Sequence, residues 1–156
     1  MVRFVEVSDA DFRRWEEESI ADYALERVKA GNDDASSDRP REEFRSLLPQ
    51  GKATRNNYIY SVVDEKDNDR KVGIIWYAVD SQQFPKDTLY IYDIVIEERF
   101  RGKGHGKAAL LLLEDMARAL EKRRISLHVF AHNERARRLY EELGYKPTNI
   151  VMSKAL

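Results

Sequence analysis

The sequence predicts a mixed α/β fold of the α+β kind, in which helices flank a central sheet that is partly antiparallel and partly parallel. Two observations predict this arrangement. Strand-like runs follow one another in the middle of the chain, and a strongly apolar helical run separates the last of them from a further strand-like run. Consecutive strands favour antiparallel pairing, whereas a helix between two strands favours a parallel crossover. At 156 residues, the chain is expected to fold as one domain over residues 1–156.

The N-terminal part is predicted to form one strand and one long helix. Residues 2–7 alternate loosely between apolar and polar types, as a half-buried strand does. Ser8 or Asp9 can cap a helix over residues 10–29, since both side chains accept hydrogen bonds from free helix amides. Gly31 follows this helix and can adopt the left-handed conformation that is common at helix ends.

The remaining elements follow the same signals. Apolar runs bounded by polar or glycine-containing turns predict strands, and longer runs with helical spacing predict helices. The predicted strands cover residues 58–63, 72–79, 89–96, 125–130 and 150–154. The predicted helices cover residues 42–48, 104–123 and 133–143.

Composition narrows the class of protein. Apolar residues make up 42% of the chain, and the 35% of charged residues nearly cancel to a formal net charge of −1, which gives no support for a nucleic-acid partner. No apolar run is long enough to span a bilayer and no signal-peptide pattern opens the chain, so a cytoplasmic protein without a membrane partner is expected. The absence of cysteine excludes disulfides and thiol catalysis, and the histidines lack the spacing of metal ligands.

A glycine-rich basic turn, RGKGHGK at residues 101–107, lies between a predicted strand and a predicted helix. The first amides of a helix have no intrahelical acceptors and carry partial positive charge, and glycines let a phosphate approach the backbone. The turn therefore predicts a pyrophosphate site for a nucleotide-derived cofactor, with a helix-capping turn as the structural alternative. Its candidate cofactor-binding residues are Arg101, Gly102, Lys103, Gly104, His105, Gly106 and Lys107.

Two familiar phosphate loops do not fit this turn. A Walker A loop would need a glycine where Arg101 stands and a hydroxyl side chain where Ala108 stands. A dinucleotide fingerprint would need an acidic residue at the end of the strand that follows the helix, and residues 125–130 contain none. A phosphate ligand of another kind is therefore expected.

Two sequence blocks resemble the signatures of the GNAT superfamily of acyl-CoA-dependent N-acyltransferases. Arg101-x-x-Gly104-x-Gly106 fits its Arg/Gln-x-x-Gly-x-Gly/Ala signature, and LHVFAHNERARRLYEELGY at residues 127–145 is similar to its second signature. The resemblance covers the second half of the chain closely and the first half in its order of elements. The block through the terminal VMSKAL is similar to the YycN-type bacterial acetyltransferases.

The resemblance implies a GNAT-like sheet with an acyl-CoA cleft between two splayed strands, residues 89–96 and 125–130. It implies acetyl-CoA as cosubstrate, with its pyrophosphate on the turn and its pantetheine arm along the backbone of Ile94 and Ile96. Asn133 matches a residue that contacts pantetheine in the superfamily, and it can also cap the last helix. The acceptor, an unidentified amine of a small molecule or peptide, would enter from the side of the first two helices.

Transfer of an acetyl group from a thioester to an amine needs a base for the amine and benefits from an acid for the departing thiolate. The resemblance assigns the acid to Tyr140, for which the alternative role is core packing on a helix. Two residues compete as base. His128, the preferred one, stands where similar N-terminal acetyltransferases have a glutamate base. Asp93 interrupts an otherwise apolar strand, where an unpaired carboxylate is costly, and alternation predicts it on the same face as Ile91.

The predicted function is an N-acetyltransferase in which the bound amine attacks the thioester directly, since no cysteine is present to carry the acetyl group. Two alternatives stay open: a sensor of the same fold that binds acyl-CoA without turnover, and a nucleotide-binding protein that uses the turn for another phosphate. The ring of His105 is expected to face solvent or the phosphates, and His132 is expected to be a loop residue. The oligomeric state is left open between a monomer and a homodimer.

Overall fold

The computed structural model of the protein describes residues 1–156, which form five strands and four α-helices. The strands are β1 (Val2–Glu6), β2 (Asn57–Asp64), β3 (Arg70–Val79), β4 (Thr88–Ile96) and β5 (Arg124–Leu127). The helices are α1 (Asp9–Lys29), α2 (Arg39–Leu47), α3 (His105–Ala119) and α4 (Glu134–Glu142). No helix is both long enough and apolar enough to cross a membrane.

The five strands form a single mixed sheet in the order β1-β2-β3-β4-β5. The strands β1 to β4 are antiparallel to their neighbours, whereas β5 runs parallel to β4 after the crossover through α3. One core cluster contains Leu110 and Leu113 of α3, and the other contains Phe12 and Trp15 of α1. Helices therefore pack on both faces, and the predicted mixed sheet flanked by helices is confirmed.

A largely buried ionic network holds α1 against the loop and helix that follow it. Arg27 contacts Asp33 in the loop and Glu43 in α2, and the Tyr23 hydroxyl donates to Glu43 and accepts from Arg27. Only 13% of the Arg27 side chain and 5% of the Asp33 side chain are exposed. Each of the two has a second partner, Glu43 for Arg27 and Arg39 for Asp33, so the charges form a network and not an isolated pair. The network therefore fixes the side of the molecule formed by α1 and α2.

A β-bulge interrupts β4 at Tyr92. Trp76 of β3 pairs with Asp93, and the next residue of β3 pairs with Ile91, so Tyr92 has no partner between them. An extra residue in one strand reverses the alternation of side chains beyond it. Tyr92 and Asp93 consequently face α1, whereas Ile91 and Ile94 face α3. The prediction that Asp93 shares a face with Ile91 is therefore wrong.

The C-terminal segment also departs from the predictions. The predicted strand over residues 125–130 ends at Leu127, where its pairing with β4 stops. The predicted strand over residues 150–154 is wrong for the single chain, because residues 146–156 form neither a regular element nor a backbone hydrogen bond. A strand exists only where another strand supplies its hydrogen-bond partners, and this segment has none. We call residues 146–156 the C-terminal tail.

Candidate functional site

A cleft opens where β4 and β5 part. The last pair between the two strands is Ile91 with Leu127, and β4 then continues to Ile96 without a partner on that side. The backbone edge of residues 92–96 pairs with no strand on that side and is open to an extended ligand, although the Ile96 carbonyl at its end accepts from Arg101. This is the splay between two strands that the resemblance to the superfamily implies, and Ile94 lies in the middle of the free edge.

The glycine-rich turn at the end of β4 presents a row of backbone N–H groups without acceptors. None of the amides from Gly102 to Lys107 donates a hydrogen bond within the chain, and the first backbone bond of α3 runs from the Ala108 amide to the Gly104 carbonyl. Gly102 and Gly104 have φ angles of 73° and 84°, in the left-handed region that glycine tolerates. Successive free amides at a helix start form an anion-binding concavity.

Three cationic side chains surround this turn. Arg101 folds back so that its Nε donates to the Ile96 carbonyl over 2.9 Å, which fixes the guanidinium beside the free edge of β4. The Lys103 ammonium lies 5.8 Å from the centre of the Phe100 ring, and Lys107 is exposed in the first turn of α3. The turn therefore combines free amides with positive charge, a composition suited to a phosphate ester.

His105 belongs to the turn, but its ring points away from the free amides. Only 5% of the His105 side chain is exposed. Its Nδ1 lies 3.0 Å from the Phe100 carbonyl oxygen, and its Nε2 lies 2.8 Å from Asp64 Oδ2. The prediction that the His105 ring faces solvent or the phosphates is wrong, and its backbone amide remains as the group open to a ligand. Both neighbouring atoms are oxygens that can accept a hydrogen bond from the ring. His105 thus ties the turn to the end of β2.

We expect His105→Leu to destabilise the protein by about 1–3 kcal/mol near neutral pH, because the Phe100 carbonyl loses its buried donor. The hydrogen bond from His105 also holds the pKa of Asp64 below its ordinary value. A carboxyl group with a lowered folded-state pKa stabilises the fold above its ordinary pKa of about 3.9, and this contribution is lost as the pH falls through the folded-state value. The stability difference between parent and variant, measured by urea unfolding, should therefore narrow below about pH 4. A difference that does not change with pH would contradict this coupling.

An open groove of about 800 Å³ separates the turn from α4. Gly102 forms part of one wall, and Arg135 and Arg138 belong to the other. Asn133 also lines this groove, and its side-chain oxygen accepts a hydrogen bond from the Ala136 amide, so its predicted capping role is confirmed. The two arginines are missed at the level of sequence, although their spacing of three residues places them on one face of α4.

Tyr140 projects from α4 onto the core cluster of the α3 face. Its ring packs beside this cluster and lies edge-on to Tyr145, with 5.6 Å between ring centres. Burial, and after it the Asp93 carboxylate, raise the pKa of Tyr140 to about 12. The hydroxyl is therefore protonated at neutral pH and can donate a hydrogen bond or a proton. Its position is compatible with both predicted roles, core packing and proton donation.

Asp93 reaches the opposite face of the sheet, under α1. Its Oδ2 accepts hydrogen bonds from Trp15 Nε1 at 2.9 Å and from Ser19 Oγ at 3.1 Å. Burial raises the pKa of Asp93, the two hydrogen bonds oppose this change, and the neighbouring Asp22 carboxylate raises the pKa further. No cation contributes to this environment. A partly buried carboxylate that has neutral donors and no counter-charge is costly in a purely structural role.

His128 directly follows β5, at the point where that strand has left β4. Its ring lies edge-on to Phe130, with 4.8 Å between ring centres, and partial burial lowers the pKa of His128. Asp93 does not contribute to that change, whereas it acts directly on Tyr140. The charge of Asp93 thus influences the Tyr140 hydroxyl, whereas burial accounts for the change at His128.

Two contacts missed at the level of sequence join α1 to the loop after β5. Tyr23 packs on Phe130, with 6.2 Å between ring centres, and His132 contacts the Glu26 carboxylate. His132 is a loop residue, as predicted, but it connects two elements that are 106 residues apart in sequence. No local pattern signals such a contact.

Comparisons with known proteins identify relatives along most of the chain. Residues 9–145 match the Acetyltransferase (GNAT) family. The Bacillus subtilis protein named "Uncharacterized N-acetyltransferase YycN" is 40% identical over 94% of this chain and 93% of its own length. A crystal structure of YycN from Bacillus subtilis superposes with a TM-score of 0.89 at 35% identity, covering 100% of this chain and 99% of that one. A spermine/spermidine N(1)-acetyltransferase of Bacillus subtilis is 33% identical over 56% of this chain and 49% of its own length.

Proposed function

The chain belongs to the GNAT acetyltransferase family, and from that premise we propose that it transfers the acetyl group of acetyl-CoA to a primary amine. The observation that carries this proposal is the row of free amides from Gly102 to Lys107, at the end of a strand whose edge is also free. A pyrophosphate suits the amides and the cations around them, and an extended pantetheine arm suits the strand edge.

Acetyl-CoA binding is assigned to the turn, the free edge of β4 and the start of α4. The turn, residues 101–107, holds the pyrophosphate, with His105 contributing through its amide. Ile94 and Ile96 pair with pantetheine through their backbone. The Asn133 side chain uses its oxygen to cap α4, so its amide nitrogen is left to donate to the same arm. Arg135 and Arg138 stand across the groove from Gly102, where they suit the outer phosphate of the cosubstrate.

The transfer proceeds by direct attack in a ternary complex. The nitrogen lone pair of the amine attacks the thioester carbonyl carbon, a C–N bond forms and the C–S bond breaks. The base takes the proton of the amine, and Tyr140 gives its phenolic proton to the departing thiolate. Solvent returns a proton to Tyr140 and removes one from the base, so the cycle balances. With no cysteine in the chain, no thiol is available to form an acetylated intermediate.

The contacts of the two candidate bases support Asp93 rather than His128, which the sequence favours. Asp93 lies under α1, on the side from which the acceptor is proposed to enter, and its charge acts on Tyr140. A base and an acid that serve one tetrahedral centre must lie near each other. The ring of His128 packs edge-on to Phe130 and forms no hydrogen bond within the chain that would orient it as a base.

Variants, rather than the pH profile of the parent alone, are needed to identify the base. The ordinary pKa values are about 3.9 for aspartate and about 6.5 for histidine. Burial raises the pKa of Asp93 and lowers that of His128, so the two pKa values approach each other and a pH profile separates them poorly. On the acidic limb of kcat/KM the base becomes protonated and the rate falls as the pH falls, whichever residue it is. We expect Asp93→Asn to lower kcat about 100-fold and to remove the acidic limb of kcat/KM. His128→Gln should change kcat and the acidic limb little.

Asp22→Asn serves as the matched control for the base. The Asp22 charge raises the pKa of Asp93, but Asp22 makes none of the hydrogen bonds that hold Asp93. Its removal should therefore move the acidic limb to lower pH and leave the plateau of kcat unchanged. An unmoved limb in Asp22→Asn, together with a lost limb in His128→Gln, would assign the base to His128.

The proposed function is tested by following CoA release with a panel of amines. The panel contains free amino acids, peptides with free N-termini, lysine-containing peptides and spermidine. Spermidine is included because one relative is named for spermine and spermidine, and because Asp93 has no cationic partner in the chain. CoA release that depends on one amine, with the acetylated product identified by mass spectrometry, is expected. Acetyl-CoA binding without CoA release would favour a sensor, and ATP competing with CoA would favour a nucleotide-binding protein.

A further inference from the structure

Residues 102–104 of the glycine-rich turn have little support of their own. Their amides donate no hydrogen bond within the chain, and Gly102 and Gly104 impose few steric limits on the backbone. Beyond the neighbouring residues, a Cβ built on Gly102 would meet no atom within 4 Å, and one built on Gly104 would meet only the Met1 side chain, at 3.9 Å. Backbone that neither packs nor hydrogen-bonds has conformational freedom to lose when a ligand fixes it. The direction of the free amides therefore depends on contacts from outside these three residues.

The His105 ring supplies such a contact by joining the two ends of the turn. His105 is the first residue of α3, and its Nδ1 lies 3.0 Å from the carbonyl oxygen of Phe100, which precedes the turn. The two rings also lie edge-on, with 6.3 Å between their centres. Both residues are buried, so neither end of the turn can move without disturbing its packed surroundings. The ring therefore sets the distance between the ends of the turn.

Asp64 fixes the other side of that ring. Its Oδ2 lies 2.8 Å from His105 Nε2, and its Oδ1 accepts a hydrogen bond from the Lys66 amide at 3.0 Å. Asp64 is the last residue of β2, where it pairs with Val2 of β1 and with Arg70 of β3. A carboxylate that is held at both oxygens, on a strand with partners on both sides, gives the His105 ring one orientation.

The negative charge of Asp64 gives it no direct part in binding a phosphate ester. A carboxylate near an anion site opposes binding by repulsion, and Asp64 reaches the turn through the buried His105 ring. We propose that Asp64 is a positioning residue for acetyl-CoA, which acts through His105 to aim the free amides of the turn at the pyrophosphate. This inference rests on the proposed function, which places the pyrophosphate on the turn. A site held in its binding geometry loses less conformational freedom when the ligand arrives, so it binds more tightly.

Two variants of Asp64 separate this positioning from the effect of charge, and calorimetric titration with acetyl-CoA measures both. Asp64→Ala removes the charge and the contact with His105, whereas Asp64→Asn removes the charge and keeps an amide that can donate to the ring and accept from Lys66. We expect Asp64→Ala to bind acetyl-CoA about tenfold more weakly than the parent, and Asp64→Asn to bind it at least as tightly. Repulsion alone predicts tighter binding by both variants, which would overturn the proposal. Equal affinities of Asp64→Ala and Asp64→Asn would overturn it as well.

A cosubstrate without a pyrophosphate distinguishes positioning from a general loss of folded protein. S-acetylpantetheine keeps the thioester and the pantetheine arm but ends before the pyrophosphate, so the geometry of the turn should not affect its use. With an amine that gives CoA release in the panel, Asp64→Ala should raise the KM for acetyl-CoA about tenfold, and leave both kcat and the kcat/KM for S-acetylpantetheine unchanged. An equal loss of kcat/KM for both cosubstrates would show a structural role alone and overturn the proposal. A parent that binds no acetyl-CoA would overturn the proposed function itself, whereas equal binding by the parent and Asp64→Ala would overturn this inference alone.

Discussion

Tyr140→Phe is expected to lower kcat about 100-fold, with little change in the KM for acetyl-CoA. The variant keeps the ring that packs on the core cluster and removes only a hydroxyl whose environment contains no hydrogen bond. A proton donor that acts as the thiolate departs contributes to the transition state and not to cosubstrate binding, so its loss appears in kcat. Initial rates at saturating amine and varied acetyl-CoA measure both constants. A kcat within about a factor of two of the parent would leave Tyr140 with the packing role alone.

Tyr145→Phe is the matched control for that experiment. Tyr145 lies edge-on to Tyr140, and its hydroxyl is buried without a hydrogen-bond partner. Removal of a buried, unpaired hydroxyl takes away a desolvation cost and no interaction. We therefore expect kcat to stay unchanged and the free energy of unfolding to stay equal or rise. The comparison separates the chemistry of the Tyr140 hydroxyl from the general effect of losing a phenol in this region.

Gly106→Asp is expected to abolish detectable acetyl-CoA binding by a protein that remains folded. A carboxylate in the first turn of α3 would repel the pyrophosphate and lie beside the free amides. The fold should accept the side chain, because the φ angle of Gly106 is not positive and an added Cβ would lie 3.6 Å from Leu139 and 3.7 Å from Ile96. An acidic residue near a helix N-terminus is also favourable to the helix itself. Calorimetric titration measures the affinity, and circular dichroism with thermal unfolding checks the fold.

Gly106→Ala is the control for that loss, since it adds the Cβ without the charge. The superfamily signature admits glycine or alanine at this position, so the affinity should stay near that of the parent. Gly104 is less suited to the experiment, because its φ angle of 84° would strain any other residue and confuse folding with binding. Unchanged affinity in folded Gly106→Asp would place the pyrophosphate away from the turn.

The glycine-rich turn at residues 101–107 could be predicted from the sequence because its signals are local. A strand, closely spaced glycines and an apolar helix follow one another within a short stretch, and each has its own physical signature. The direction of the His105 ring could not be predicted in this way. It depends on Asp64, which lies 41 residues earlier and reaches the turn only through the pairing of the sheet.

The environment of Asp93 under α1 shows the same limit more strongly. Trp15 and Ser19, which hold Asp93, lie 78 and 74 residues from it in sequence, and a bulge sets the face on which they meet. A single extra residue in a strand hardly changes the composition or length of an apolar run, so the sequence does not reveal the bulge. The predicted strand over residues 150–154 is wrong for a different reason. The strand-like pattern is present, but within the chain this segment pairs with no other strand.

In the proposed reaction, the bulge at Tyr92 would separate the approaches of the two reactants to β4. It turns the carboxylate of Asp93 toward α1, while the apolar side chain of Ile94 stays on the face of α3, whose first turn carries the free amides. An amine and a thioester that bind as proposed would therefore meet at the strand edge from opposite sides of the sheet, without sharing a pocket. Changes in α1 can then alter acceptor preference while the affinity for the acetyl donor stays constant, so the two properties can diverge separately among descendants of one ancestor. Deletion of Tyr92 would couple them, because it would turn Asp93 into the apolar layer beneath α3.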